Sequence, residues 1–69
     1  MAGKYFWIKE RYNPQLGTYY ILQGRITVAE AKRMESTLYG DNWMHKYKTE
    51  TEYQSAIAKL IKDGEKVYQ

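Results

Sequence analysis

Residues 5–12, YFWIKERY, are aromatic or β-branched at most positions, the composition that fits a pleated, half-buried surface. The run stops at Asn13-Pro14, where proline drives the residue before it toward extended geometry. Pro14 suits the second position of a type I turn, and Gly17 suits the left-handed position that closes a longer hairpin loop. Residues 18–25, TYYILQGR, then resume strand character. Together these segments predict a β-hairpin.

Helical signals replace the alternation at Thr27. The stretch TVAE, Thr27 to Glu30, is a capping box: the Thr27 hydroxyl can accept from the Glu30 amide while the Glu30 carboxylate returns to the Thr27 amide. A helix is therefore predicted from Val28. At about 100° per residue, Val28, Ala31, Met34, Leu38 and Tyr39 share one arc, and Gly40 supplies a left-handed stop. Residues 42–48, NWMHKYK, alternate again and predict a third strand, with Trp43, His45 and Tyr47 on one side and Met44, Lys46 and Lys48 on the other. A second capping box, Thr49 to Glu52, opens a helix whose apolar stripe is Tyr53, Ala56, Ile57, Leu60 and Ile61, ending at Asp63-Gly64. Ser55, Lys59 and Lys62 form its polar face.

The predicted order is ββαβα, an α+β fold in one domain over residues 1–69, with residues 1–4 and 65–69 frayed. The sheet has three strands, largely antiparallel, and both helices pack on one face. Pairing Tyr12 with Thr18 sets Ile8 opposite Leu22 and turns Phe6, Ile8, Tyr20 and Leu22 toward the helices. The uncovered face then carries Tyr5, Trp7, Lys9 and Arg11 from the first strand and Tyr19, Ile21, Gln23 and Arg25 from the second. A one-residue slip of the hairpin would invert the second set, whereas Trp7, Lys9 and Arg11 keep their facing as long as Phe6 and Ile8 are core.

Composition narrows the function. The chain has 69 residues and no cysteine, which excludes disulfides, thiolate metal clusters and a cysteine nucleophile. The N-terminus, MAGKYFWIKE, lacks the apolar stretch of a signal peptide, and no run reaches the length of a membrane span. A cytoplasmic protein with no membrane partner is the expectation. The net charge of +3 is unevenly spread: Lys4, Lys9, Arg11, Arg25, Lys32 and Arg33 face only Glu10 and Glu30 before residue 34. Basicity thus concentrates around the hairpin.

Catalysis has little to draw on. His45 is the sole histidine, and its possible orienting carboxylates, Glu35, Asp41 and Glu50, stand at no supporting spacing. Glu35 lies near the edge of an apolar arc, where a carboxylate needs a tyrosine hydroxyl or a basic partner, so it is expected in a structural hydrogen bond. One histidine makes no metal site, and Gly17, Gly24, Gly40 and Gly64 each stand alone rather than in a phosphate loop. The expectation is a protein that is not an enzyme and has no cofactor. Its partner would be nucleic acid or a nucleotide, bound by Tyr5, Trp7, Lys9, Arg11, Tyr19, Arg25, Lys46 and Lys48, with rings as stacking platforms and cations on phosphates. The alternative is a small accessory protein that binds and inhibits a larger protein machine through the same face. A homodimer would use that face too. Leu16, at the loop tip, either folds back on the sheet or anchors a partner.

Overall fold

A computed structural model describes residues 3–37 and 42–69. Within them the elements are β1 (Lys4–Asn13), β2 (Gly17–Thr27), α1 (Val28–Thr37), β3 (Asn42–Tyr47), α2 (Glu50–Lys62) and β4 (Lys66–Tyr68). The fold is α+β, with a four-stranded mixed sheet in the order β3-β1-β2-β4. Strands β1 and β2 are antiparallel, as are β1 and β3, whereas β2 and β4 run parallel. The expected three-stranded sheet is therefore corrected by β4, which forms where a frayed end was expected.

Local chemistry explains the hairpin. The Asn13 side-chain oxygen accepts from the amides of Gln15 (2.8 Å) and Leu16 (3.2 Å), and Gly17 takes φ 80° to close the loop. Tyr12 pairs with Thr18 and Ile8 with Leu22, the register the loop implies. The ladder then shifts between Trp7 and Ile8, because Trp7 pairs with Gly24 and leaves Gln23 as an extra residue in β2. Gly24 adopts φ 73° at this bulge, and its amide donates to the Tyr53 hydroxyl at 3.2 Å. Beyond the bulge the facing of β2 reverses: Arg25 lies opposite Phe6, and Ile26 lies opposite Tyr5. Arg25 thus leaves the face of Trp7 and Lys9, where it was expected.

A side chain at Gly24 would meet nothing within 4 Å, so Gly24→Ala tests the backbone alone. It is expected to cost about 1–2 kcal/mol, the penalty of a left-handed residue with a Cβ. Urea unfolding would measure it, and an unchanged midpoint would show that the bulge does not need glycine.

The first capping box forms in full, and the second forms its Thr49 half, with the Glu52 carboxylate returning one residue earlier than expected. The Glu30 amide donates to Thr27 Oγ1 (3.1 Å) while the Glu30 carboxylate accepts from the Thr27 amide (3.4 Å) and hydroxyl (3.0 Å). At Thr49 the hydroxyl accepts from the Glu52 amide (3.1 Å), and the Glu52 carboxylate accepts from the amide of Lys48 (3.3 Å). Helix α2 ends at Gly64, φ 77°, with the Glu65 amide returning to the Leu60 carbonyl at 2.9 Å. Ile61, placed on the apolar stripe by periodicity, is 62% exposed, and Leu60 is half-buried. The expected continuation of the α1 arc through Leu38 and Tyr39 to Gly40, like Asp41, lies outside the described residues.

The core is centred on β1, where the consecutive residues Trp7 (7% exposed) and Ile8 (1%) are both buried. Neighbours on a strand point to opposite faces, so both faces must be covered. They are. On the Ile8 face, α2 stacks Tyr53 on Phe6 with ring centroids 5.2 Å apart and tilts it against Tyr47 at 6.3 Å. On the Trp7 face, α1 brings Val28 and the buried Ala31 against Trp7 and Met44. The expectation of both helices on one face is corrected. The bulge supplies a physical reason: it places Ile26 on the Trp7 face, and β2 runs directly into α1 from there. Glu35 on α1 accepts from the Met44 amide of edge strand β3 at 3.0 Å, the structural hydrogen bond expected of it, with a backbone amide as the partner.

Candidate ligand-binding surface

Four β1 side chains, Tyr5, Trp7, Lys9 and Arg11, share one face by alternation, and α1 divides them. Trp7 lies beneath the helix, and its indole N–H donates to the Ile26 carbonyl at 3.1 Å. Its ring and its donor are both used by the fold, so the placement of Trp7 on an open face is corrected. Toward the start of β1, the Lys46 ammonium sits 4.8 Å from the centroid of the Tyr5 ring, a cation–π contact. Lys48 follows the end of β3 and is exposed.

Lys9 and Arg11 continue into a strip that α1 leaves open. Opposite them on β2 are Ile21 and Tyr19, and next on β4 are Tyr68 and Lys66. The Tyr19 and Tyr68 rings meet edge to face, with centroids 6.0 Å apart and planes at 81°. Tyr68 remains 49% exposed. The Lys66 ammonium donates to the Leu16 carbonyl at 2.6 Å, tying β4 to the hairpin tip, while the Leu16 side chain stays half exposed. The strip therefore combines two rings, one aliphatic side chain and three cationic residues.

Lys9 and Arg11 are two residues apart on one strand, hence about 7 Å apart along it. Burial, and secondarily the Arg11 guanidinium, push the Lys9 ammonium below its ordinary pKa. A bound anion would offset both causes, because its charge stabilises the ammonium that burial and Arg11 disfavour. Of the residues singled out in the sequence, the structure brings Lys9, Arg11 and Tyr19 together, separates Tyr5 and Lys46 toward the other end of β1, and removes Trp7 and Arg25. It adds Tyr68 and Lys66. Their only local signal is a short apolar pair, Val67-Tyr68, after the Asp63-Gly64 turn.

The opposite face holds a different group near the hairpin end. His45 Nε2 lies 2.8 Å from Glu10 Oε1, so among the described residues its carboxylate is Glu10 rather than Glu35 or Glu50. Trp43 (47% exposed) and Tyr12 (49%) share this face by register. Burial, followed by the charge of Glu10, raises the pKa of both Tyr20 and Tyr47. Among the described residues, no helix is long and apolar enough to cross a membrane. No protein-family model matches the chain, and no curated protein or solved structure matches it either.

Proposed function

We propose that the chain is a non-enzymatic binding module for single-stranded nucleic acid. The observation that carries this reading is the edge-to-face Tyr19–Tyr68 pair beside Lys9 and Arg11 on the half of the sheet face that α1 leaves open. Rings on a sheet accept the faces of bases, which a duplex keeps stacked on one another, and cations alongside accept the phosphates. In this arrangement Tyr19 and Tyr68 are the stacking platforms, Lys9 and Arg11 hold the backbone, and Lys66 adds charge at the hairpin tip.

Fluorescence anisotropy with a labelled single-stranded oligonucleotide tests the reading. Tyr19→Ala and Tyr68→Ala are each expected to weaken binding by about 1–3 kcal/mol, the value of one base–aromatic stack. Lys9→Gln is expected to lower affinity and to reduce the slope of log affinity against log salt by about 0.7, one phosphate contact to a single strand. Binding unchanged in all three folded variants would overturn the proposal. A second reading, a small protein that docks on and inhibits a larger one, is favoured by half-exposed Trp43 and Tyr12 on the other face, since aromatic anchors dominate protein interfaces. Trp43→Ala would then abolish capture of a protein partner while leaving oligonucleotide binding intact.

A further inference from the structure

We infer that the cleft between the β2 bulge and α2 is a pocket for a nucleobase. Its volume is about 390 Å³, within the range of small-molecule sites. Leu22, Ile57 and Tyr53 contribute apolar surface to its lining, and three residues that bear carboxamides line it as well: Gln23 from the bulge, Gln54 from α2 and Gln69 beyond β4. None of the three makes a hydrogen bond to another described residue. No lining side chain carries a formal charge at neutral pH, so the side chains of the cleft offer an ionic group no counter-charge. The ligand that fits is neutral, apolar on its faces and lined with donors and acceptors at its edge.

A nucleobase has that character. Each carboxamide offers one acceptor and two donors, and glutamine can pair bidentately with the adjacent donor and acceptor of a base edge. The bulge is what creates the site. An unbroken strand would send Leu22 and Gln23 to opposite faces, whereas here the extra residue brings both into the same cleft. Bulges commonly re-aim a side chain beside a functional site. The amide that the bulge releases from the ladder is taken up by the Tyr53 hydroxyl, so the irregularity is built into the fold and held from α2.

The inference stands on the cleft alone and does not require the strip on the opposite face. Its base could come from a free nucleoside or from a strand, because Gln69 directly follows Tyr68, which belongs to the strip. Adenosine, guanosine, cytidine and uridine would be titrated separately into isotope-labelled protein and followed by NMR. At least one is expected to give saturable shifts at the amides of Gln23, Gly24 and Gln54 and at their side-chain NH2 groups. Gln23→Leu and Gln54→Leu, each checked for a dispersed spectrum, are expected to weaken that binding by about 5- to 150-fold, the worth of a bidentate base contact. Gln54 is exposed on α2, which keeps one variant safely folded. The same variants would be assayed with the oligonucleotide: a parallel loss identifies a base within a strand, and an unchanged affinity identifies a free nucleoside. Lys9→Gln, which touches neither the cleft nor β4, is expected to leave nucleoside binding unaltered, so failure of the strip would not resemble failure of the cleft. Absence of saturable shifts with all four nucleosides, or shifts indifferent to both glutamine variants, would overturn the inference.

Discussion

Trp7→Ala is expected to remove about 3–5 kcal/mol of stability, the usual cost of truncating a buried aromatic residue. A chain of 69 residues has only about 4–10 kcal/mol in all at the typical stability per residue. The variant should therefore lose a large share of its stability and, at the low end of that range, be largely unfolded at room temperature. Two losses combine: the buried ring beneath α1, and the donor to the Ile26 carbonyl. Trp7→Phe separates them, because it retains most of the ring and is expected to cost less, about 1–3 kcal/mol for the orphaned carbonyl. Circular dichroism and urea titration would check both. A folded alanine variant with an unchanged midpoint would show that α1 does not depend on this ring.

Tyr53→Ala is expected to be as damaging, again about 3–5 kcal/mol, although it acts on the other layer. Tyr53 is 7% exposed, stacks on Phe6 and is tilted against Tyr47. Its hydroxyl is also the acceptor for the Gly24 amide. Tyr53→Phe isolates that bond and should cost about 1–3 kcal/mol, since the bulge amide loses its partner in a half-buried setting. Combined with Gly24→Ala it should be non-additive, because both substitutions act on the same bulge. Strict additivity in urea unfolding would mean that the hydroxyl and the bulge are not coupled.

The parts of this fold written in short-range chemistry were legible in the sequence. Asn13, Pro14 and Gly17 specify the loop and its register, while Thr27 with Glu30 and Thr49 with Glu52 mark where the helices start. What was not legible depends on long-range geometry. A lone glycine within a strand pattern reads equally well as a turn, so the bulge at Gln23-Gly24 and the reversed facing of Arg25 had no local sign. The adjacent pair Trp7-Ile8 could have been one core residue and one exposed ring, and only a helix on each face makes it two core residues. β4 is three residues long and pairs with a strand far away in sequence, leaving no alternation to detect. The site inherits these limits. Lys9, Arg11 and Tyr19 follow from the hairpin register, whereas Tyr68 joins them only through β4, and the Glu10–His45 pair arises only because β3 lies beside β1.

That short fourth strand has a dynamic consequence. A three-residue edge strand, joined to the sheet along one side, belongs to the low end of the local stability scale and should open far more often than the hairpin. Amide exchange at Val67 should therefore be faster than at Ile8, in the middle of the sheet. Tyr68 and Gln69 travel with β4, so both candidate surfaces are complete only while it is docked. The apparent affinity of each is the intrinsic affinity scaled by the docked fraction, and a ligand on either should slow exchange in β4 by the amount it binds the closed form more tightly. Substitutions that merely hold β4 in place would then tighten binding without adding a contact to any ligand.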